Sequence, residues 1–230
     1  MKVILTKIIT FVIILTVIIP SQASATNNEA ETPIAFVPEA LATLYVTKKN
    51  GNLENFTLNI NGHIQHFPLW RNVDSEAHKP RMLYNDINKD GQKELIIILT
   101  IANGTNRIIQ DAHVFHKVRV NFVDTFQEIL IDDPLAIFLK HAKTSLTPTK
   151  ATITVGNKTK IIHLMKFGIP SEQLFSDIGI GSIVKFDVVH HELVATLGLQ
   201  ASSSSSIGSV TITYLFKDKM YQIKKISLEA

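Results

Sequence analysis

The densest set of oxygen-bearing side chains in the sequence is Asp86-Ile87-Asn88-Lys89-Asp90-Gly91-Gln92-Lys93-Glu94. Counted from Asp86, such side chains fall at positions 1, 3, 5 and 9, with glycine at 6. Calcium takes roughly six to eight oxygen ligands in flexible geometry. Alternate side chains converge on one ion when a loop curls round it, and Gly91 admits the sharp turn. Gln92, at position 7, offers a backbone carbonyl; Glu94 binds directly or through water. The spacing predicts a calcium site built from Asp86, Asn88, Asp90, Gln92 and Glu94, whose role is to pin the strand that follows. The plainer reading is a metal-free turn, since Asn, Asp and Gly are ordinary turn residues and Asp90-Gly91 alone can close a hairpin. Against it stands the mutual repulsion of three carboxylates within nine positions. If an ion binds, affinity in the extracellular class, about 10⁻⁴–10⁻³ M, suffices.

Other chemistries find less support. The 9 histidines raise the question of zinc. His63 and His66 are three apart, as are His113 and His116, and residues three apart on a strand point to opposite faces. His190-His191 falls in a turn beside Glu192, and there is no Cys to complete a set of three or four ligands. There is no G-x-S-x-G elbow for a serine nucleophile, and the serines at 202–206 form a low-complexity run that reads as an exposed hairpin loop. Asp132-Asp133 are better explained by helix capping than by acid–base work. Asp124 and Glu128 could share a strand face, but nothing else marks a glycosidase cleft. Trp70, the one Trp, reads as core with Phe67 and Tyr84 rather than as a sugar platform.

The acidic loop departs from an EF-hand. Position 12 is Ile97, and the residues that follow read as a strand rather than a helix. It resembles instead the calcium loops of FG-GAP and VCBS-type repeats, in which D-x-[DN]-x-D-G-x-x-[DE] joins two strands. The resemblance covers about 20 residues, in a single copy, whereas those repeats build propellers from several. More widely, residues 84–100, Asn103-Gly104-Thr105, His113-Val114-Phe115 and Asp133-Pro134-Leu135 resemble a group of uncharacterised secreted proteins of bacilli. That likeness implies location and architecture and no reaction.

The elements that must position these residues are mostly strands. Residues 43–47, 56–60 and 63–70 read as a three-stranded meander, with Asn61-Gly62 as the strongest hairpin signal. Residues 81–84 and 94–100 flank the acidic loop. The unbroken Leu95-Ile96-Ile97-Ile98-Leu99 predicts a central strand buried on both faces. Residues 111–119 and 121–131 continue the pattern. Asp133-Pro134 starts a helix whose apolar face is Leu135, Phe138, Leu139 and Ala142. Hairpins follow at 151–164, 182–199 and 208–226, with a short helix at 171–175 capped by Ser171. The fold class expected is α+β, β-rich, with antiparallel hairpins, a meander and one or two short helices. Two lobes, 26–132 and 133–230, are as compatible with this as one continuous domain.

Composition sets the outer bounds. In 230 residues, 45% are hydrophobic and 19% charged, which excludes an intrinsically disordered chain. Residues 1–25 have the layout of a signal peptide: Lys2 and Lys7, an apolar run over 8–19, Pro20, then Ala23-Ser24-Ala25. The run is short against the roughly 20 residues of a membrane span, so cleavage after Ala25 is expected over a permanent anchor. Cleavage removes two of the charges behind the formal +3. No polybasic block remains, so a nucleic-acid partner is not indicated. An exported chain with no disulfide fits a bacterium. The expectation is an exported, non-catalytic, calcium-stabilised protein that binds a protein or a cell-envelope ligand, touching a membrane only through an uncleaved leader. The alternative is a secreted hydrolase whose active site the sequence does not reveal.

Overall fold

The computed structural model describes residues 30–120 and 122–229; the expected leader and cleavage site lie outside them. The first strands are β1 (Thr32–Val37), β2 (Ala42–Lys49), β3 (Asn52–Ile60), β4 (His63–Phe67) and the short β5 (Asn72–Val73). They form one antiparallel sheet in the order β1-β2-β3-β4, with β5 also on β3. The Asn61-Gly62 turn has both φ values positive, 49° and 87°, a conformation open to Asn and Gly. The second arm stops at Phe67, short of Trp70, whose N–H turns back to the Phe67 carbonyl.

Next come β6 (Arg81–Asn85), β7 (Glu94–Gly104), β8 (Arg107–Val120) and β9 (Val123–Ile129), then the helix α1 (Pro134–His141). Asp133 caps α1 by accepting from the Ala136 N–H at 2.7 Å, as the sequence predicts. The helix buries Pro134, Ile137 and Phe138, whereas Leu139, expected on the apolar face, is 65% exposed. Only eight residues are helical, so a single i, i+3, i+4 stripe meets the core, and Ala142 already begins the next strand. That strand, β10 (Ala142–Leu146), pairs with β11 (Lys150–Val155) and β11 with β12 (Lys158–His163) in a three-stranded sheet. The turn at Ser171–Gln173 is 3-10 and follows Pro170; no side chain caps it, so Ser171 lies inside the turn instead of capping it.

The chain ends in β13 (Gly179–Val189), β14 (Glu192–Ser202), β15 (Ser205–Lys217) and β16 (Met220–Glu229). The serine run is mostly strand: Ser202 pairs with Ser205 and is 1% exposed, because Ala201 and Ile207 on either side belong to the core. These strands join β6–β9 in an eight-stranded sheet, order β16-β15-β14-β13-β8-β7-β6, with β9 also on β8. The pairings between its named strands are antiparallel apart from β8–β13, a parallel contact that a chain of hairpins does not anticipate. The molecule is thus β-rich, with antiparallel sheets and one α-helix among the described residues, and the α+β label fits it loosely.

Two features of this sheet matter below. First, β7 is buried on both faces: residues 95–99 are all 1% exposed or less. Leu95, Ile97 and Leu99 enter a core shared with the first sheet, while Ile96 and Ile98 enter a second core with α1, β11 and β13–β15. Second, one side of β8 forks. Ile108 and Ile109 meet β13, and residues 114–120 meet β9. Beyond β9, the Tyr221 N–H donates to Leu130 O at 2.8 Å and the Asp132 N–H to Tyr221 O at 2.9 Å. The residues just after β9 therefore meet β16 in a single parallel bridge, Ile131 to Tyr221, and this bridge completes a ring through β8, β13, β14, β15, β16 and β9.

Candidate metal site

The acidic loop joins β6 to β7, the strand–loop–strand setting that the sequence predicts. The loop is wound by its own side chains. Asp86 Oδ1 accepts from the Lys89 N–H (2.7 Å) and the Asp90 N–H (3.2 Å), and Oδ2 accepts from the Gly91 N–H (3.0 Å). Asn88 Oδ1 accepts from the Asp90 N–H at 2.9 Å, and Asp90 Oδ1 from the Gln92 N–H at 2.8 Å. Left-handed backbone at Lys89 (φ 65°) and Gly91 (φ 86°) turns the chain back on itself, and at Gly91 no side chain has to bear that strain.

Asp86, Asp90 and Glu94 each place a carboxylate oxygen so that all three oxygens lie within 4.8 Å of one another. Asn88 is tied to this group, its Nδ2 donating to Asp90 Oδ2 at 3.0 Å. Gln92 joins through its backbone N–H, and its side chain is exposed. Glu94 is the inner member. It is 2% exposed, and its Oε2 accepts from the Ile87 N–H at 2.8 Å and the Asn88 N–H at 3.3 Å. Burial pushes its pKa up to about 7, against the two backbone hydrogen bonds; the charges of Asp90 and Asp86 add to the rise.

The donor set is all oxygen, which suits a hard cation rather than zinc or copper. No Lys, Arg or His makes an ion pair with these three carboxylates among the described residues. Lys89 sits inside the loop, yet its ammonium reaches out 3.0 Å to Glu192. Lys93 lies over the Tyr84 ring instead. Three carboxylates thus converge without a basic partner among the described residues, and the raised pKa of Glu94 keeps a proton there that offsets part of their charge.

No family model, no curated protein and no solved structure matches the chain. Glu192 accepts from both Lys89 and Lys224, joining the loop to the β13–β14 turn and to β16. His191 Nδ1 sits 2.7 Å from Asn85 Oδ1 at the loop's root. These partners lie more than 100 residues away along the chain, and no local pattern announces them. The Tyr221 phenol, 2.9 Å from His116 Nε2, is held well above its ordinary range, by burial first and then by the charges of Glu94, Asp90 and Asp86.

The histidines do not assemble a zinc site among the described residues. His113 turns inward, stacked on Trp70 with ring centroids 3.8 Å apart, while His116 turns to Tyr221 on the opposite face. Trp70 is half-buried, stacked on Phe67 at 3.9 Å and packed against the first core.

Proposed function

We propose that the chain is an exported, non-catalytic protein that acts by binding at or outside a bacterial cell envelope and takes calcium at residues 86–94 as a structural ion. The carrying observation is the convergence of Asp86, Asp90 and the buried Glu94 within 4.8 Å without a basic partner. The position of the loop supports a structural role. It precedes β7, a strand that feeds both cores, so an ion there braces the centre of the molecule. Its carboxylates are already engaged with loop N–H groups, an arrangement suited to holding an ion rather than to turning over a substrate.

The test is thermal melting in millimolar calcium, in magnesium and in excess chelator. A ligand held only by the folded state at about tenfold over its Kd adds roughly 1.4 kcal/mol, which in a chain of this size raises Tm by a few degrees. Asp86→Ala with Asp90→Ala should remove the rise. The same Tm in calcium and in chelator would refute the ion site.

A further inference from the structure

The fork in β8 leaves one side of residues 110–113 without a strand partner, between the contacts to β13 and to β9. A cavity of about 500 Å³ occupies it. Ile109, Ile129, Ile131, Leu135 and Phe186 supply apolar walls. Asp111, Glu128, Asp132 and Asp133 also line it, and no Lys, Arg or His does. Volume and lining are those of a small-molecule pocket, apolar with a few polar groups on its wall.

Glu128 is taken up by His113 and Asp133 by the cap of α1, whereas Asp132 and the more exposed Asp111 are less fully satisfied. The Asp132 backbone is pinned on both sides, its N–H to Tyr221 O and its carbonyl accepting from the Tyr214 hydroxyl at 3.0 Å. Its carboxylate has no hydrogen-bond or ion-pair partner among the described residues. Asp111 Oδ1 accepts only from the adjacent Ala112 N–H. Between Asp111 and Glu128 stands the His113 ring, 9% exposed, with Nδ1 2.7 Å from Glu128 Oε1. Its buried Nε2 has no hydrogen-bond partner and lies 3.8 Å from Asp111 Oδ2. The negative field reaches inward. After burial, the charges of Asp133 and Asp132 raise the Tyr214 phenol well above its usual range.

We propose that the fork cavity binds a small organic cation with an apolar body, of the class of primary alkylamines, its ammonium between Asp111 and Asp132 and its chain against Ile129, Ile131 and Leu135. A peptide strand is a poorer fit, because β13 and β9 close both ends of the fork. The open stretch of four residues is roughly 13 Å long, the reach of a small molecule. This site uses none of residues 86–94 and stands apart from the calcium reading.

Hexylammonium, hexanol and hexanoate, titrated into the protein and followed by the methyl resonances of Ile129 and Ile131, test it. Hexylammonium should shift them saturably, bind at least about tenfold tighter than hexanol, and weaken several-fold when salt rises from about 0.05 to about 0.5 M. Asp111→Asn with Asp132→Asn should cost hexylammonium about tenfold and leave hexanol unchanged. Equal affinity for the three probes, no saturable shift, or binding of hexylammonium indifferent to salt would each overturn the proposal. The salt series needs no variant, so it decides even if the double substitution fails to fold.

Discussion

At Glu94, burial works against the charge that a cation would require. In the folded protein without a cation its pKa of about 7 lies above the ordinary 4.5, so the folded state holds a proton that the unfolded chain releases. The sign follows from linkage. The contribution is full below about pH 4.5 and is lost as pH rises through about 7, a change on the order of 3 kcal/mol. In chelator, Tm should therefore fall over that range. Glu94→Gln keeps an oxygen for the Ile87 and Asn88 N–H groups and should flatten this part of the profile, leaving the variant more stable than the native chain at pH 8. The same substitution should abolish the calcium-dependent rise. Calcium affinity in the native chain should itself strengthen with pH up to about 7, as the ion displaces the proton. A variant that keeps the pH slope would remove Glu94 as its source.

The elements carry predictions of their own. Gly198 lies within β14, and a Cβ there would stand 2.8 Å from Ile183 Cβ on the neighbouring β13. Gly198→Ala should lower stability by about 1–3 kcal/mol, read from denaturant midpoints, since two rigid strands must part to admit one methyl group. Asp133→Ala leaves the Ala136 N–H without its acceptor and should cost about 1 kcal/mol. Both the Asp133 cap and the Asn61-Gly62 hairpin are legible in the sequence, because each is decided by residues within four positions. So is β7, whose five consecutive Leu and Ile residues have no polar face. The acidic loop is legible for the same reason: Asp86 finds its own N–H partners three to five residues on. What the sequence hides is decided at a distance. Ile137 rather than Leu139 faces the core because of where α1 docks, and β8 meets β13 in parallel because two hairpins far apart in the chain lie edge to edge. Lys89 and Lys224 converge on Glu192 only after that sheet has formed.

For the whole molecule, β7 and its neighbour β8 both contribute to two cores, so those cores should not melt apart. Leu95→Ala strikes one and Ile96→Ala the other, and each should cost about 2–5 kcal/mol. Calorimetry should show one transition moved down in both variants; two resolved transitions in either would contradict the coupling. Seen along the direction of synthesis, the ring has another consequence. Leu130 and Asp132 leave the ribosome some ninety residues before Tyr221, whose backbone closes the circle with theirs. Until the final hairpin emerges, β9 has only β8 beside it, residues 130–132 have no strand to receive them, and the parallel seam between β8 and β13 also waits on late residues. A nascent chain can fold its first sheet early, but it must keep the second open to the end. Contacts so distant in sequence are slow to form, so the second sheet should be the last part of the chain to gain protection from proteolysis as it folds.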